Sequence, residues 1–376
     1  MRYLDEFQDQ KLAQGLIKAI EALTDKEICL MEVCGTHTVA IFKHGIKRLL
    51  PDSLRLLSGP GCPVCVTPDR DIDAAIFLST RQDVVLATFG DMIKVPGTTG
   101  SLEKQRAEGA DIRVVYSILD ALGIAQNAPS KKVIFLGAGF ETTSPSIAST
   151  IHLARQEGID NFWVYSCHKL IPPAMQALLE AGEARIDGFI CPGHVSTIIG
   201  SLPYEFIPLK FGVPCVIAGF EPLDILQSIY MLLKQIREGK SLVEIQYRRC
   251  VKPEGNQRAI SRLYEVFEVA DSEWRGIGLI PDSGLRIKKE YSNFDASLHF
   301  ELPPLKVSQK KSGCICGQIL RGISPPLDCL LFRQRCTPEN PIGLCMVSSE
   351  GTCAAYYNYG HRGQSLLERA EIGLHL

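Results

Sequence analysis

Short apolar runs alternate with helix-period stretches along the first 226 residues, and this alternation limits the fold more than any other feature of the chain. The runs are 28–33 (ICLMEV), 54–57, 84–89 (VVLATF), 112–116, 132–137 (KVIFLG), 162–166, 186–191 and 213–218. Helix-period segments such as 38–50 and 146–157 lie between them, and 10–24 forms an amphipathic pattern ahead of them. Strand–helix alternation of this kind predicts an α/β fold built on parallel sheets.

A weak internal repeat divides these elements into two similar units. The strand ICLMEV runs into Cys34-Gly35-Thr36-His37-Thr38, and VIFLGAG runs into Phe140-Glu141-Thr142-Thr143. A second strand in each half leads to a Pro-Gly corner, Pro60-Gly61-Cys62 or Pro192-Gly193-His194. A third ends in ATFGDMIKVP (87–96) or IAGFEPLDIL (217–226). The expected domains are therefore 25–127 and 128–226. From about 227 the texture changes to a long helix (227–238) and then to loop-rich sequence with prolines and distal cysteines. With residues 1–24 this remainder, 227–376, is expected to form a smaller third domain. Function in open α/β sheets gathers at the carboxyl ends of strands, where all six motifs fall. If the two halves face each other, Cys34, Cys62, Cys65, Glu141 and His194 converge on one cleft.

Bulk properties narrow the chemistry. A formal net charge of −2 argues against nucleic acid or an anionic membrane as the main partner. The start, MRYLDEFQDQKLAQ, has no apolar signal core, and no run approaches the roughly 18 apolar residues that span a bilayer. A cytoplasmic protein is expected. In that compartment fourteen cysteines point to metal or redox chemistry rather than to a disulfide framework. Ten of them fall in two groups, Cys29, Cys34, Cys62 and Cys65 near the start and Cys314 to Cys353 near the end.

Cys34 follows a strand and precedes a helix, where unpaired backbone N–H groups favour thiolate, the form that attacks electrophiles and binds metals. Thr36 and Thr38 are suited to capping that helix, and His37 is a neighbouring imidazole. Cys62-Pro63-Val64-Cys65 is a C-x-x-C, a spacing that closes a small disulfide or clamps a metal with two thiolates. The distal array Cys329-x6-Cys336-x8-Cys345-x7-Cys353 has long, irregular gaps filled with Pro338, Pro341, Gly343 and Gly351. Such gaps let backbone wrap a bulky object and suit a [4Fe–4S] cluster, with zinc as the alternative. Cys314 and Cys316 are surplus to a four-ligand set and able to substitute in it. Glu141 and His194, at a strand end and a Pro-Gly corner, are candidates to move protons or to hydrogen-bond a metal ligand. Gly137-Ala138-Gly139 hints at a dinucleotide fingerprint, but Thr142 holds the place of the third glycine. Cys29, Cys167, Cys215 and Cys250 read as structural, whereas Cys191 borders the Pro-Gly-His corner.

With these residues in hand, the chain resembles the HypD family of [NiFe]-hydrogenase maturation proteins. The matching segments are CGTHT (34–38), GPGCPVC (59–65), GFETT (139–143), PGHVS (192–196), GFEPLDIL (219–226), EGN (254–256), WRGIG (274–278) and CTPENPIGLCMVSSEGTCAAYY (336–357). The resemblance implies two similar α/β domains facing a cleft and a domain holding a [4Fe–4S] cluster. It implies a small partner, HypC, with which the protein carries an iron bearing one carbon monoxide and two cyanides, and a second partner, HypE, that delivers cyanide. Carried onto this sequence, it makes Cys34 the iron ligand shared with HypC. Cys62 and Cys65 become a dithiol that cycles or assists iron binding. The function so implied is that of an assembly scaffold with redox activity rather than a conventional turnover enzyme. Two rivals stand beside it: an iron–sulfur-fed thiol–disulfide oxidoreductase using Cys62 and Cys65, and a zinc-stabilised binding module.

Overall fold

The computed structural model describes residues 9–302 and 313–360. Every expected strand forms: β1 (Ile28–Glu32), β2 (Leu54–Ser58), β3 (Val84–Thr88), β4 (Ile112–Val114), β5 (Lys132–Gly137), β6 (Phe162–Ser166), β7 (Gly188–Pro192) and β8 (Cys215–Ala218). Later in the chain come β9 (Val243–Ile245) and an antiparallel pair, β10 (Phe267–Trp274) and β11 (Gly278–Ile287). The larger sheets are parallel, as the alternation predicts.

The strands do not divide at residue 127. One sheet has the order β2-β1-β7-β8-β9 and the other β4-β3-β5-β6. The chain accordingly forms two compact units. One comprises the described residues within Met1–Cys62, Leu178–Pro253 and Gly313–Leu376, the other those within Pro63–Ala177 and Glu254–Ser312. The expected segments 25–127 and 128–226 are thus corrected. After β2 the chain leaves to build the whole second sheet, then returns to lay β7 beside β1. A parallel neighbour needs a crossover of a dozen residues or more but sets no upper limit on its length, so sequence order does not dictate which strands pair.

In the first unit the helices Gln10–Leu23 and Pro222–Arg237 cover the sheet, with Ile20, Leu30, Val216, Ile229 and Leu233 in one apolar core. Asp9 caps the first helix, its carboxylate accepting from the N–H groups of Lys11 and Leu12 at 2.8 and 3.2 Å. Pro222 opens the second, over a reciprocal Glu221–Asp224 capping box. These helices and the cysteine-rich residues 313–360 belong to the first unit and do not make a separate third domain.

The second unit packs the helices Ile118–Asn127, Ser144–Gln156 and Gln257–Val266 with β10 and β11 around Val85, Phe135, Phe162, Leu263, Phe267 and Leu285. The hairpin lies in the stretch expected to be loop-rich. Its strands alternate buried and exposed positions without an unbroken apolar run.

Each parallel sheet has a point where the chain reverses its direction of travel. In the first unit β1 leads to β2 on one side, whereas β7 leads to β8 and β9 on the other, so the reversal falls between β1 and β7. In the second it falls between β3 and β5. At such a point neighbouring strand-end loops diverge and leave a crevice at the carboxyl edge. No helix among the described residues is long and apolar enough to cross a membrane.

Candidate functional site at a strand-end crevice

Cys34 lies just beyond β1, and His194 just beyond β7, so the two flank the crevice of the first unit. The second strand of the β1–β2 pair brings Gly59-Pro60-Gly61 alongside. Gly35 N–H donates to the Gly61 carbonyl at 3.0 Å, and Gly59 N–H to that of Glu32 at 2.7 Å. A Cβ on Gly61 would stand 2.1 Å from the Cys34 nitrogen, so only glycine permits this approach, and Cys62 follows directly. Across the crevice, His194 stacks on Phe220 with centroids 3.9 Å apart, and His37 tilts against the same ring at 4.9 Å. Cys34, Cys62, His37 and His194 are thus brought together, as the shared-cleft expectation requires of them. Cys65 and Glu141 belong to the second unit.

The Cys34 surroundings set its protonation. Burial pushes the thiol up to about 12; the His37 N–H pulls it back, the Glu32 and Glu350 carboxylates push it up again, and the Thr36 N–H opposes them. Desolvation thus outweighs the aligned N–H groups of the helix Gly35–Lys43, which by themselves favour thiolate. A thiol so placed loses its proton when a cation takes it.

Glu32 is the residue that apolar periodicity hides. It ends β1 fully buried, accepts from the Cys34 N–H at 2.9 Å and from the Thr38 hydroxyl, and burial raises its pKa to about 7. Thr38 therefore bonds a side chain of its own loop instead of acting as a simple cap. Glu350 arrives from the cysteine-rich segment: its carboxylate accepts from the Thr36 hydroxyl at 2.8 Å, and it packs against Gly35. Its place within the quoted 336–357 match was the available signal. His37 donates from Nε2 to the Gly219 carbonyl at 2.9 Å, leaving Nδ1 buried without a partner among the described residues. Burial lowers its pKa to about 4. Behind Gly219, Asp224 is gripped by both Arg249 guanidinium nitrogens and by Gln246, whose Oε1 accepts from the Gly219 N–H.

In the second unit Cys65 is buried in the short helix Pro63–Val66. That segment is tied down by the Trp-Arg-Gly motif: Arg275 N–H donates to the Val66 carbonyl at 2.9 Å, and its guanidinium pairs with Asp69 at 2.7 Å. Glu141 turns into its own unit, where it accepts from the Ile171 N–H at 3.0 Å. Burial raises its carboxyl to about 7.

The distal thiols also gather. Cys314 and Cys316 have their sulfurs 3.0 Å apart, and the Cys353 thiol hydrogen-bonds with Cys316 and Cys345. Cys336 receives the N–H groups of Ile342 and Gly343 on its sulfur, and the charges of Cys314 and Cys316 act on it. A Cβ on Gly343 would come within 2.5 Å of both the Cys314 and Cys316 sulfurs. Among the described residues no set of three or more His, Cys, Asp and Glu is placed to hold a single metal ion. A cluster of several irons makes a different demand, since each thiolate binds its own iron and N–H groups donate to the sulfurs. The soft, all-thiol donor set with N–H groups on Cys336 fits such a cluster. Of the cysteines read as structural, Cys29, Cys167 and Cys215 are buried and Cys250 is exposed; Cys191 lies buried in β7 against Cys215.

Comparison with known proteins places this geometry. A family model described as "HypD: Hydrogenase formation hypA family" matches residues 11–360. The chain is 50% identical over 370 residues to hydrogenase maturation factor HypD2 of Bradyrhizobium diazoefficiens, covering 96% of this chain and 97% of that one. It is 49% identical to hydrogenase expression/formation protein HupD of Azotobacter chroococcum, covering 98% and 100%. It is 48% identical to hydrogenase maturation factor HypD of Cupriavidus necator, covering 96% and 97%.

Proposed function

Because the chain belongs to the HypD family of hydrogenase formation proteins, we propose that it is the scaffold on which the iron of a [NiFe]-hydrogenase receives its cyanide and carbon monoxide ligands. It acts in the reducing cytoplasm with a HypC-type small partner that shares the iron and a HypE-type partner that delivers cyanide. The observation that carries this reading is the position of Cys34. It stands alone at the carboxyl end of β1, beside the reversal of the sheet, with the Gly61-Cys62 corner pressed on its backbone and His194 at the end of the neighbouring strand.

In this reading iron is the cargo. Cys34 binds it as thiolate, and the thiol proton leaves as the metal arrives. Glu32 holds the Cys34 N–H and so fixes the loop that presents the sulfur. His37, with Nε2 committed to the Gly219 carbonyl, keeps an unprotonated Nδ1 available as acceptor. Cys62 and Cys65 serve as a dithiol that assists iron binding; closing to a disulfide would pass two electrons to an external oxidant and two protons to solvent. A [4Fe–4S] cluster at the distal thiols supplies one-electron redox chemistry when bound.

The test is infrared spectroscopy of the protein co-purified with its small partner. The native chain is expected to show cyanide and carbon monoxide bands. Cys34→Ala is expected to lose them while keeping the broad visible absorbance of the distal site. A Cys34→Ala protein that still carries iron-bound cyanide would overturn the ligand role. A native protein with redox-active thiols but no such bands would favour the oxidoreductase reading. Visible absorbance that dithionite fails to bleach would favour zinc at the distal site.

A further inference from the structure

β2 is the outermost strand of the first sheet, with β1 on one side only. Its ladder with β1 opens with the Ile28 N–H donating to the Ser53 carbonyl and closes with the Gly59 N–H donating to that of Glu32. A parallel strand turns every second residue toward a given neighbour. The register from Ile28–Leu54 to Glu32–Ser58 therefore aims the backbone groups of Arg55 and Leu57 at β1 and those of Leu56 and Ser58 away from it. The outward N–H and C=O groups of Leu56 and Ser58 have no hydrogen-bond partner among the described residues.

This edge opens into a cavity of about 530 Å³ within the first unit. The walls are largely apolar and include Ile41, Phe42, Pro325, Pro326, Leu327 and Tyr356. Leu327 is left 66% exposed there. Lys47, Arg48, Arg55 and Arg333 also line the cavity, against the carboxylate of Asp52. Lys47 donates to the Tyr356 hydroxyl at 2.6 Å, Arg48 to the Gly360 carbonyl at 2.6 Å and Arg333 to the Tyr356 carbonyl at 3.1 Å. Those partners are uncharged, so within the described residues the positive field of the cavity is not cancelled.

We infer that this groove takes an extended segment of a partner protein, laid along β2 as an added strand, with apolar side chains in the cavity and acidic ones against its cations. An edge strand with unpaired N–H and C=O groups is a template for such pairing, and pockets beside it select alternate side chains. A compact anion would meet the cations but leave the backbone row unused. The charge sets the partner's sign, since like charges across an interface are repelled. The surface does not depend on the iron-carrying role. It lies beside that site, because β2 runs on into the Gly59-Pro60-Gly61 corner that presses on Cys34.

The test uses the full chain and an acetylated peptide, Glu-Val-Leu-Val-Leu-Glu, with amide hydrogen exchange read residue by residue by nuclear magnetic resonance. Saturating peptide is expected to slow the Leu56 and Ser58 amides at least about tenfold, while Arg55 and Leu57, already bonded to β1, stay unchanged. A peptide with proline in place of both valines lacks the N–H groups and is expected to bind about tenfold more weakly. Native protein should prefer the glutamate peptide to one with lysine at both ends, and Arg55→Glu, a change at an exposed side chain, should narrow or reverse that preference. Absence of binding at millimolar peptide would overturn the inference. So would binding that leaves Leu56 and Ser58 unprotected, or equal affinity for the two charged peptides. Should both amides exchange slowly already in the free chain, the edge is covered from within the chain and partner docking falls.

Discussion

Two buried titratable groups of the second unit, Glu141 and His168, set opposed pH dependences. Burial raises the Glu141 carboxyl from 4.5 to about 7, and it lowers the His168 imidazole from 6.5 to about 3. The Ser166 hydroxyl donates to the Leu285 carbonyl, so it accepts from His168 Nδ1, which leaves Nε2 bare. For Glu141 the folded value exceeds the unfolded one, so its contribution to stability is lost as pH rises from 4.5 to about 7. For His168 the folded value is the lower, so stability is gained as pH rises from about 3 to 6.5. Glu141→Gln, which keeps an acceptor for Ile171, should remove the first slope alone. Relative to native, the variant is expected to gain stability with rising pH, by at most about 3 kcal/mol at the upper end. Hydrogen exchange of β5 and β6 against pH reads this directly, and a pH-independent difference would refute it. Glycines make a second residue-scale contrast. Gly61→Ala forces a Cβ onto the Cys34 backbone, whereas Gly15 sits inside a helix with nothing within 4 Å. Thermal melts should show Gly61→Ala strongly destabilised and Gly15→Ala stabilised by about 0.5–1 kcal/mol.

At the scale of elements, the turn after β8 is held by charge as much as by packing. Asp224 is fully buried in the first turn of the helix Pro222–Arg237 and meets Arg249 from the far side of β9. Removing the guanidinium leaves a buried carboxylate unpaired. Arg249→Met is expected to cost about 3 kcal/mol, with Arg249→Lys recovering only part because one ammonium does not replace a bidentate fork. Urea unfolding of the two variants checks this, and equal stability of native and Arg249→Met would contradict it. The same pair supports Gly219, whose carbonyl holds His37, so an element-level anchor reaches the site. Sequence reading found GFEPLDIL as a motif but not its partner, because Arg249 lies 25 residues from Asp224 and no local pattern joins them.

At the scale of the whole molecule, the cysteine-rich segment is part of the first unit. Its helix Thr352–Tyr359 packs on the helix that follows Cys34, with Tyr356 against Phe42 at 4.2 Å, and Glu350 reaches Thr36. On the proposed cluster reading, stripping metal from the distal thiols should therefore loosen the Cys34 helix as well as the segment itself, since metal coordination contributes to folding. Hydrogen exchange after chelation is expected to rise in residues 35–43 and 344–359 while β5 and β6 stay protected. Loosening confined to 344–359 would mean that the segment is energetically separate after all.

The sequence alone determined the strands. Each of the eight apolar runs is a strand, because a buried parallel strand needs apolar residues on both faces and leaves that trace locally. It also determined that Cys34, Cys62 and His194 sit at strand ends, since the motifs directly follow the runs. Only tertiary structure decided which strands are neighbours. β7 returns to β1 across more than a hundred residues, and crossover length leaves no mark in local composition. The hairpin β10–β11 was missed because its strands carry no unbroken apolar run, and Glu32 because it ends an apolar strand. The Glu350 carboxylate beside the Cys34 loop and the grouping of Cys316 with Cys353 were not legible because each depends on contacts between segments apart in the chain, where desolvation and proximity, not periodicity, set the chemistry.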